Sequence, residues 1–543
     1  MKKHFLSALI TLAFGFLYFY VAIPAIHFRD IGFWFMLLLM AVVYLVCYFL
    51  QSEKRPAFGQ EKNISFRVEY HFSKKVKTAV IFSVVGAALV IAVIFVSSSP
   101  IFRAKEYQSM LHVEEADFVE DIAELPISQI PIVDRDTAAR LGSRKIGEVV
   151  ELVSQFNVSS YYTQINYNEA PYRVSPLEYD GILKWFTNRE EGIPYYVTIN
   201  MATQETELVE LEEGMKYSPS EYFSRDLYRH IRFQYPTRMF EELSFEIDDS
   251  GHPYWVMSYY DYTIGLFGGK DIQGVILVDA VTGEMTDYPV SGVPQWIDRV
   301  YPAPLVVEQA DNWGSLKNGF FNSIFAQKNV IVTTEGYNYI AVDDDVWLYT
   351  GLTSVVADES NIGFILVNMR TKEAKTYAIN GAEEYSAMES AEGKIQEKGY
   401  NATFPILINV QDTPSYFISL KDNAGLVKAY AFVSVTDYQV VGVADTIADA
   451  RSEYLRMLGT VDNSAIPDSG TDATPVTGTV SRLSSAVING NSVYYLEVDG
   501  KVYTANVGTW DYLPLLREGD TVSFLADVKG KIREFTEAPA EAG

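Results

Sequence analysis

The 543-residue chain has one cysteine, Cys47, set in an apolar stretch. A single thiol excludes a disulfide framework and any zinc site built on cysteines. Histidine is nearly as scarce. Of six, only His112, His230 and His252 lie beyond residue 104, and none forms H-E-x-x-H or another close ligand pair. Neither G-x-S-x-G nor S-x-x-K occurs, so the commonest serine nucleophile signatures are missing too. Basic residues are outnumbered, 43 Lys+Arg against 70 Asp+Glu, for a net charge of −27. Phosphate contacts need a basic footprint, so a generic nucleic-acid binder is excluded. These absences lead us to expect no cofactor, no bound metal and no enzymatic activity.

Charge is missing altogether from three long runs. Phe5–Ile26, Ile31–Leu50 and Thr78–Ser98 contain no Asp, Glu, Lys or Arg. About 20 apolar residues suffice to cross a bilayer as a helix, so three transmembrane helices are expected within residues 1–104. The first run is too long for a cleaved signal peptide, and a second follows at once. Lys2 and Lys3 precede the first run. Seven Lys and Arg fill the 51–77 loop, whereas Arg29 is the only one between the first two runs. The positive-inside rule then places the N-terminus and the 51–77 loop in the cytoplasm, and everything after Ser98 outside. Residues 105–543 carry a net charge of −34 and no cysteine, as fits a bacterial cell surface.

Beyond residue 105 the pattern becomes mixed α and β, and it repeats. Tyr196–Leu208 (YVTINMATQETEL), Gly274–Tyr288 (GVILVDAVTGEMTDY) and Gly363–Tyr377 (GFILVNMRTKEAKTY) each read as an apolar strand, an Asn or Asp, a Thr-x-Glu turn and a more polar strand. A fourth copy, Pro414–Leu420 with Val427–Val435, replaces that turn with Thr436-Asp437-Tyr438-Gln439. Helices are predicted over Asp136–Gln155, Tyr222–Phe233 and Ala382–Lys398. The unit is a helix followed by three or four antiparallel strands, with four units across residues 130–460.

This arrangement resembles the PepSY family, through Val278-Asp279-Ala280-Val281-Thr282-Gly283-Glu284 above all. The other copies depart from it, with Asn200 and Asn368 for the Asp, and Gln204 and Lys372 for the Gly. The resemblance implies an exported or membrane-anchored module that binds or restrains other proteins. Taken whole, the chain is also similar to uncharacterised Gram-positive membrane proteins. Residues 464–475 read as a linker. Residues 476–536 alternate apolar and polar, with Asn489-Gly490 at a hairpin, and predict a small OB-like β-barrel. The tail, 537–543, is expected to be disordered.

Few residues stand out as chemistry. Gly265-Leu-Phe-Gly-Gly-Lys270 lacks both the first Walker glycine and the Ser or Thr that would hold magnesium, and reads as a turn. Asp343-Asp344-Asp345 and Glu246–Gly251 lack calcium-loop spacing and read as solvated turns. Tyrosines 161, 162, 167, 172, 259, 260 and 262 suit either strand cores or a sugar-stacking patch. Arg225, Arg229 and Arg232 fall at i, i+4 and i+7 of a predicted helix, a basic face in an acidic region and the candidate ligand-binding site. The sequence thus points to a multi-pass protein with an exported α+β domain that binds or regulates another envelope protein. A receptor for a cell-wall polymer or anionic ligand is the alternative, and an enzyme a third reading.

Overall fold

The computed structural model describes residues 2–52, 86, 92–342, 344–354, 360–459, 474–488, 491–506, 510, 513–526, 530 and 532–537. The chain divides into two compact units, Met1–Thr460 and Val461–Gly543.

The first unit opens with two helices, α1 (Lys2–Ala22) and α2 (Ile31–Ser52). Both are long and apolar enough to cross a membrane. They pair as a hairpin, with His4 bonded to Tyr44 and Gln51 to Ser7. Gly15 lets Met40 approach so closely that a Cβ there would lie 2.7 Å from its methyl group. The hairpin turns at Asp30, whose carboxylate accepts from Phe33 N and Ala25 N and so caps the start of α2. Most of the third apolar run lies outside the described residues, although Gly86 and residues 92–97 are helical.

Four sheets follow, and each is preceded in the chain by a helix. Helix α3 (Arg135–Gly147) leads into a five-stranded sheet over residues 156–215. Helix α4 (Leu227–Gln234) leads into a four-stranded meander: Met239–Ile247, Pro253–Ile264, Gly268–Asp279 and Met285–Pro289. Helix α5 (Ala303–Ser315) precedes the third sheet, and α6 (Glu384–Lys394) the fourth, which α7 (Ile447–Leu458) closes. Pairing within these ladders is antiparallel, except that Val113–Glu115 adds in parallel beside Ala374–Tyr377. One large apolar core draws from all four sheets, and a second lies between α5 and the other faces of the second and third sheets. The central strands are therefore buried on both sides, which explains their continuous apolar runs.

All three predicted helices are trimmed, the 382–398 stretch to Glu384–Lys394. The 136–155 stretch breaks at Glu148–Val149, and the 222–233 helix starts only at Leu227, because Asp226 caps it by accepting from Arg229 N at 2.9 Å.

The Thr-x-Glu turns share one geometry. Asp279 Oδ1 accepts from Val281 N and Thr282 N. Asn200 Oδ1 accepts from Ala202 N and Thr203 N, and Asn368 Oδ1 from Arg370 N and Thr371 N. In each the threonine hydroxyl then accepts from the Glu backbone N–H. The residue between them has positive φ: Gly283 at 78°, Gln204 and Lys372 at 65°. That conformation costs a non-glycine residue about 1–2 kcal/mol. Gln204→Gly should therefore raise the midpoint of thermal unfolding. Gly283→Gln should lower it by more, because its Cβ would fall 2.4 Å from the Tyr217 ring. Calorimetry of both variants checks the pair, and a loss of stability in Gln204→Gly would count against this account.

The second unit has five strands in the order 501–506, 491–498, 474–488, 521–526, 532–537. Its longest strand, Thr474–Ile488, pairs through its first half with 521–526 and through its second half with 491–498. It bends around a core of Val480, Leu496, Val498, Phe524 and Ile532. The expected barrel is not closed: among the described residues, no ladder joins 501–506 to 532–537. Alternation alone does not distinguish a closed barrel from a coiled open sheet, because both bury one face of every strand. Asn489-Gly490, most of the 464–475 linker and the tail beyond Glu537 lie outside the described residues.

Candidate functional site

The arginines singled out from the sequence lie where the β-rich region meets the apolar helices. They do not share one helix face. Arg225 belongs to a 3-10 turn, Phe223–Arg225, that ends before the Asp226 cap, and its guanidinium donates to the backbone oxygen of Arg189. Arg229 and Arg232 project from α4 onto the end of α1. Arg229 Nε donates to Tyr20 O at 2.9 Å, and its guanidinium covers the Tyr20 ring at 4.4 Å. Arg232 Nε donates to Ile23 O at 3.0 Å, while Nη1 serves Tyr235 O and Arg238 O. Phe233, next on the same face, meets Phe19 and Tyr20 edge-on.

The physical reason lies in α1. The last four carbonyls of a helix have no intrahelical donor, and they carry the negative end of its dipole. Guanidinium groups supply the donors and the opposite charge. Arg232 is only 5% exposed, and burial lowers its pKa to about 10, against the opposing charge of Asp30. It remains a cation at neutral pH. The basic face is therefore occupied chiefly by backbone oxygens, with Asp226 3.7 Å from Arg229.

The clamp extends across the hairpin end. Ile26 N donates to Pro236 O at 2.6 Å, and Arg29 Nη1 binds both Asp261 Oδ1 and Tyr262 O. The glycine-rich turn at residues 265–269 is the tip of the 253–279 hairpin, and it holds the other apolar segment. Leu266 N donates to Ser98 Oγ, and Gly269 N donates to the Tyr107 hydroxyl, which donates in turn to Ser98 O. Phe267 stacks on Phe95 at 5.0 Å. The glycines are needed here: a Cβ on Gly268 would fall 2.3 Å from Ser98 O. Sequence reading missed this clamp. Its trace is the lone Arg29-Asp30 pair in the short loop and the Gly265–Lys270 turn.

A second polar group is buried between the first three sheets. Glu246 and Asp298 are fully buried, with Asp298 N donating to Glu246 Oε2 at 2.8 Å and Ser244 to Glu246 Oε1. Asn166 N donates to Asp298 Oδ2 at 2.7 Å, and Asn166 Nδ2 to Asp344. Asp345 is held by both the Nε and the Nη2 of Arg370 and by Asn368. Arg299 lies over the Tyr339 ring and bonds its hydroxyl. Burial, and then the charge of Glu246, push the Asp298 carboxyl well above its ordinary range. Burial also raises Glu246. Glu246 and Asp345 are thus not the solvated turn residues the sequence suggested. Asp343 lies outside the described residues. A cavity of about 250 Å³ opens beside the group, lined by Asn166, Asp344, Glu169 and Ile340 among others. Among the described residues, no cluster of three or more His, Cys, Asp or Glu could hold a metal ion.

Of the tyrosines considered as a stacking surface, Tyr162 and Tyr259 are buried in the core. Tyr161 meets Trp255 edge-on, and Tyr167 meets Tyr172 in the same way.

No family model matches the chain, and no curated protein does. Among solved structures, a levansucrase of B. megaterium aligns at 9% identity over 80% of this chain and 97% of that one, with a TM-score of 0.18. An exo-1,5-alpha-L-arabinanase from a bovine ruminal metagenomic library aligns at 10% identity over 71% and 98%, with a TM-score of 0.16. An ACO/RPE65 chimera aligns at 9% identity and a TM-score of 0.15 over 73% of this chain, which spans 63% of the length of that one. At such TM-scores the likenesses carry no argument about fold or activity.

Proposed function

We propose that this chain is a multi-pass membrane protein whose β-rich part, outside the cell, binds or regulates another envelope protein and catalyses no reaction. In this reading the N-terminus and the 51–77 loop are cytoplasmic, and the PepSY-like repeats supply the binding faces. One observation carries it: residues from α4, Pro236 just after it and the 253–279 hairpin bond directly to the ends of the apolar segments, at Tyr20, Ile23, Ile26, Arg29 and Ser98. Such a joint is stiff. A partner gripping the sheets would displace the helices, and the displacement would reach helix neighbours inside the bilayer.

The same contacts weigh against the wall-polymer receptor, whose candidate arginines are already donating to backbone carbonyls. The test is photo-crosslinking in cells from two sets of positions, one on the lipid side of α2 and one on the exposed strands. Both sets should trap the same envelope protein. Recovery of wall fragments alone, or of nothing, would sink the proposal.

A further inference from the structure

If α1 and α2 cross a membrane, as the proposal above assumes, then everything bonded to the end of α1 lies at the level of the bilayer surface. Arg229 provides the ruler. The guanidinium that binds Tyr20 O also donates to Phe223 O at 2.6 Å. Phe223 therefore stands one guanidinium away from the last turn of a bilayer helix. Its ring is exposed and contacts Trp185, whose indole N–H is held by the buried Glu221. Trp185 belongs to the short helix Ile182–Asn188, which turns Leu183 and Phe186 to solvent, 78% and 61% exposed.

A second patch is tied in the same way to the other apolar segment. Phe320 packs with Tyr107, Ile264 and Leu316, the cluster beneath Ser98. From it project Phe321, Ile324 and Phe325, the last 79% exposed. The two patches lie far apart in sequence, yet each begins at a residue bonded to, or packed beneath, the end of an apolar segment. Cations stand beside both: Arg189 over the Phe186 ring at 4.5 Å, and Lys317 over Trp313 at 4.4 Å. Large apolar side chains flanked by Trp and snorkelling Lys or Arg are the composition of a membrane interface.

We propose that this face of the β-rich unit rests on the bilayer, with Leu183, Phe186 and Phe223 in one patch and Phe321, Ile324 and Phe325 in the other seated among the lipid headgroups and upper acyl chains. The occupant of both patches is lipid, by continuity with the helix ends to which they are fastened. The unit is then not suspended above the membrane but lies on it, and its tilt is set by three points: the helix bundle and the two patches.

Site-directed spin labelling of the full chain in liposomes tests this. Labels are placed singly through Leu183→Cys, Phe186→Cys and Phe325→Cys in a Cys47→Ser background. Leu38→Cys in α2 is the deep reference, and Ala424→Cys in an exposed turn is the aqueous reference. All five side chains are surface positions, and unchanged unfolding midpoints show first that each variant folds. The expected result is oxygen collision at 183, 186 and 325 intermediate between the references, with loss of collision with a water-soluble nickel chelate relative to 424. Patch labels as water-accessible as 424, with 38 still deep, would overturn the proposal and leave the membrane anchor standing. A water-accessible label at 38 would overturn both.

Discussion

Replacing Arg232 with methionine lowers the stability of the first unit by about 3 kcal/mol, reckoned at about 1 kcal/mol for each carbonyl left without a donor. Three carbonyls lose that donor: Ile23, Tyr235 and Arg238. Methionine keeps much of the side-chain volume, so the loss reports hydrogen bonds and charge rather than a cavity. It also removes the cation from the face of Phe240, 4.0 Å away. Arg232→Lys should recover only part of the deficit, because a compact ammonium does not span donors set out in a planar fork. Arg225→Gln, which vacates a single carbonyl, should cost under about 1.5 kcal/mol. Thermal unfolding of the three variants in lipid nanodiscs provides the comparison. Equal losses at 225 and 232 would mean that the clamp on α1 has no special weight.

The second large effect is a pH-dependent gain. Asp298→Asn should stabilise the protein above about pH 4 and leave it unchanged below. The sign follows from linkage. Burial holds the folded-state pKa of Asp298 well above its ordinary value of 3.8. Between those two values the folded chain binds more protons than the unfolded one, so stability falls as pH rises. Each pH unit in that window costs about 1.4 kcal/mol. Asparagine never ionises, so it escapes the cost. Its side-chain oxygen can still accept from Asn166 N. Unfolding midpoints of the two proteins should coincide near pH 3.5 and separate as the pH rises above the ordinary carboxylate range, with the variant higher. Midpoints that stay parallel across this range would refute the assignment. Glu246 remains as a source of residual pH dependence, since burial raises it as well.

The hairpins were legible because their signals are local. Asp279, Asn200 and Asn368 each bond backbone groups within three residues, so identity and spacing alone carry the turn. The strand content of the central sheets was legible for the same reason. The arginine face was half legible. The cations could be counted, but not the Asp226 cap that places Arg225 in a separate turn, nor the carbonyls of α1 that Arg229 and Arg232 serve from 209 residues away. Nothing in a linear pattern marks a backbone oxygen as needing a donor. Glu246 escaped because a charged residue near a Gly-containing turn reads as solvated, and Asp298 because no local pattern sets it apart. Burial on both faces of the 239–247 strand comes only from sheets contributed by other parts of the chain. The second unit shows a different limit: alternation gave its strands, but not whether its two edge strands pair.

The long reach of the clamp orders events during synthesis. Helix α1 leaves the ribosome first, but the donors for Tyr20 O and Ile23 O lie 209 residues further on. At about 5–20 residues per second the interval is roughly 10–40 s. Through that time Tyr20 O and Ile23 O are without these donors. Completion of α4 supplies them. On the proposed membrane reading, the β-rich region therefore fastens the helix ends only after the helices have been made.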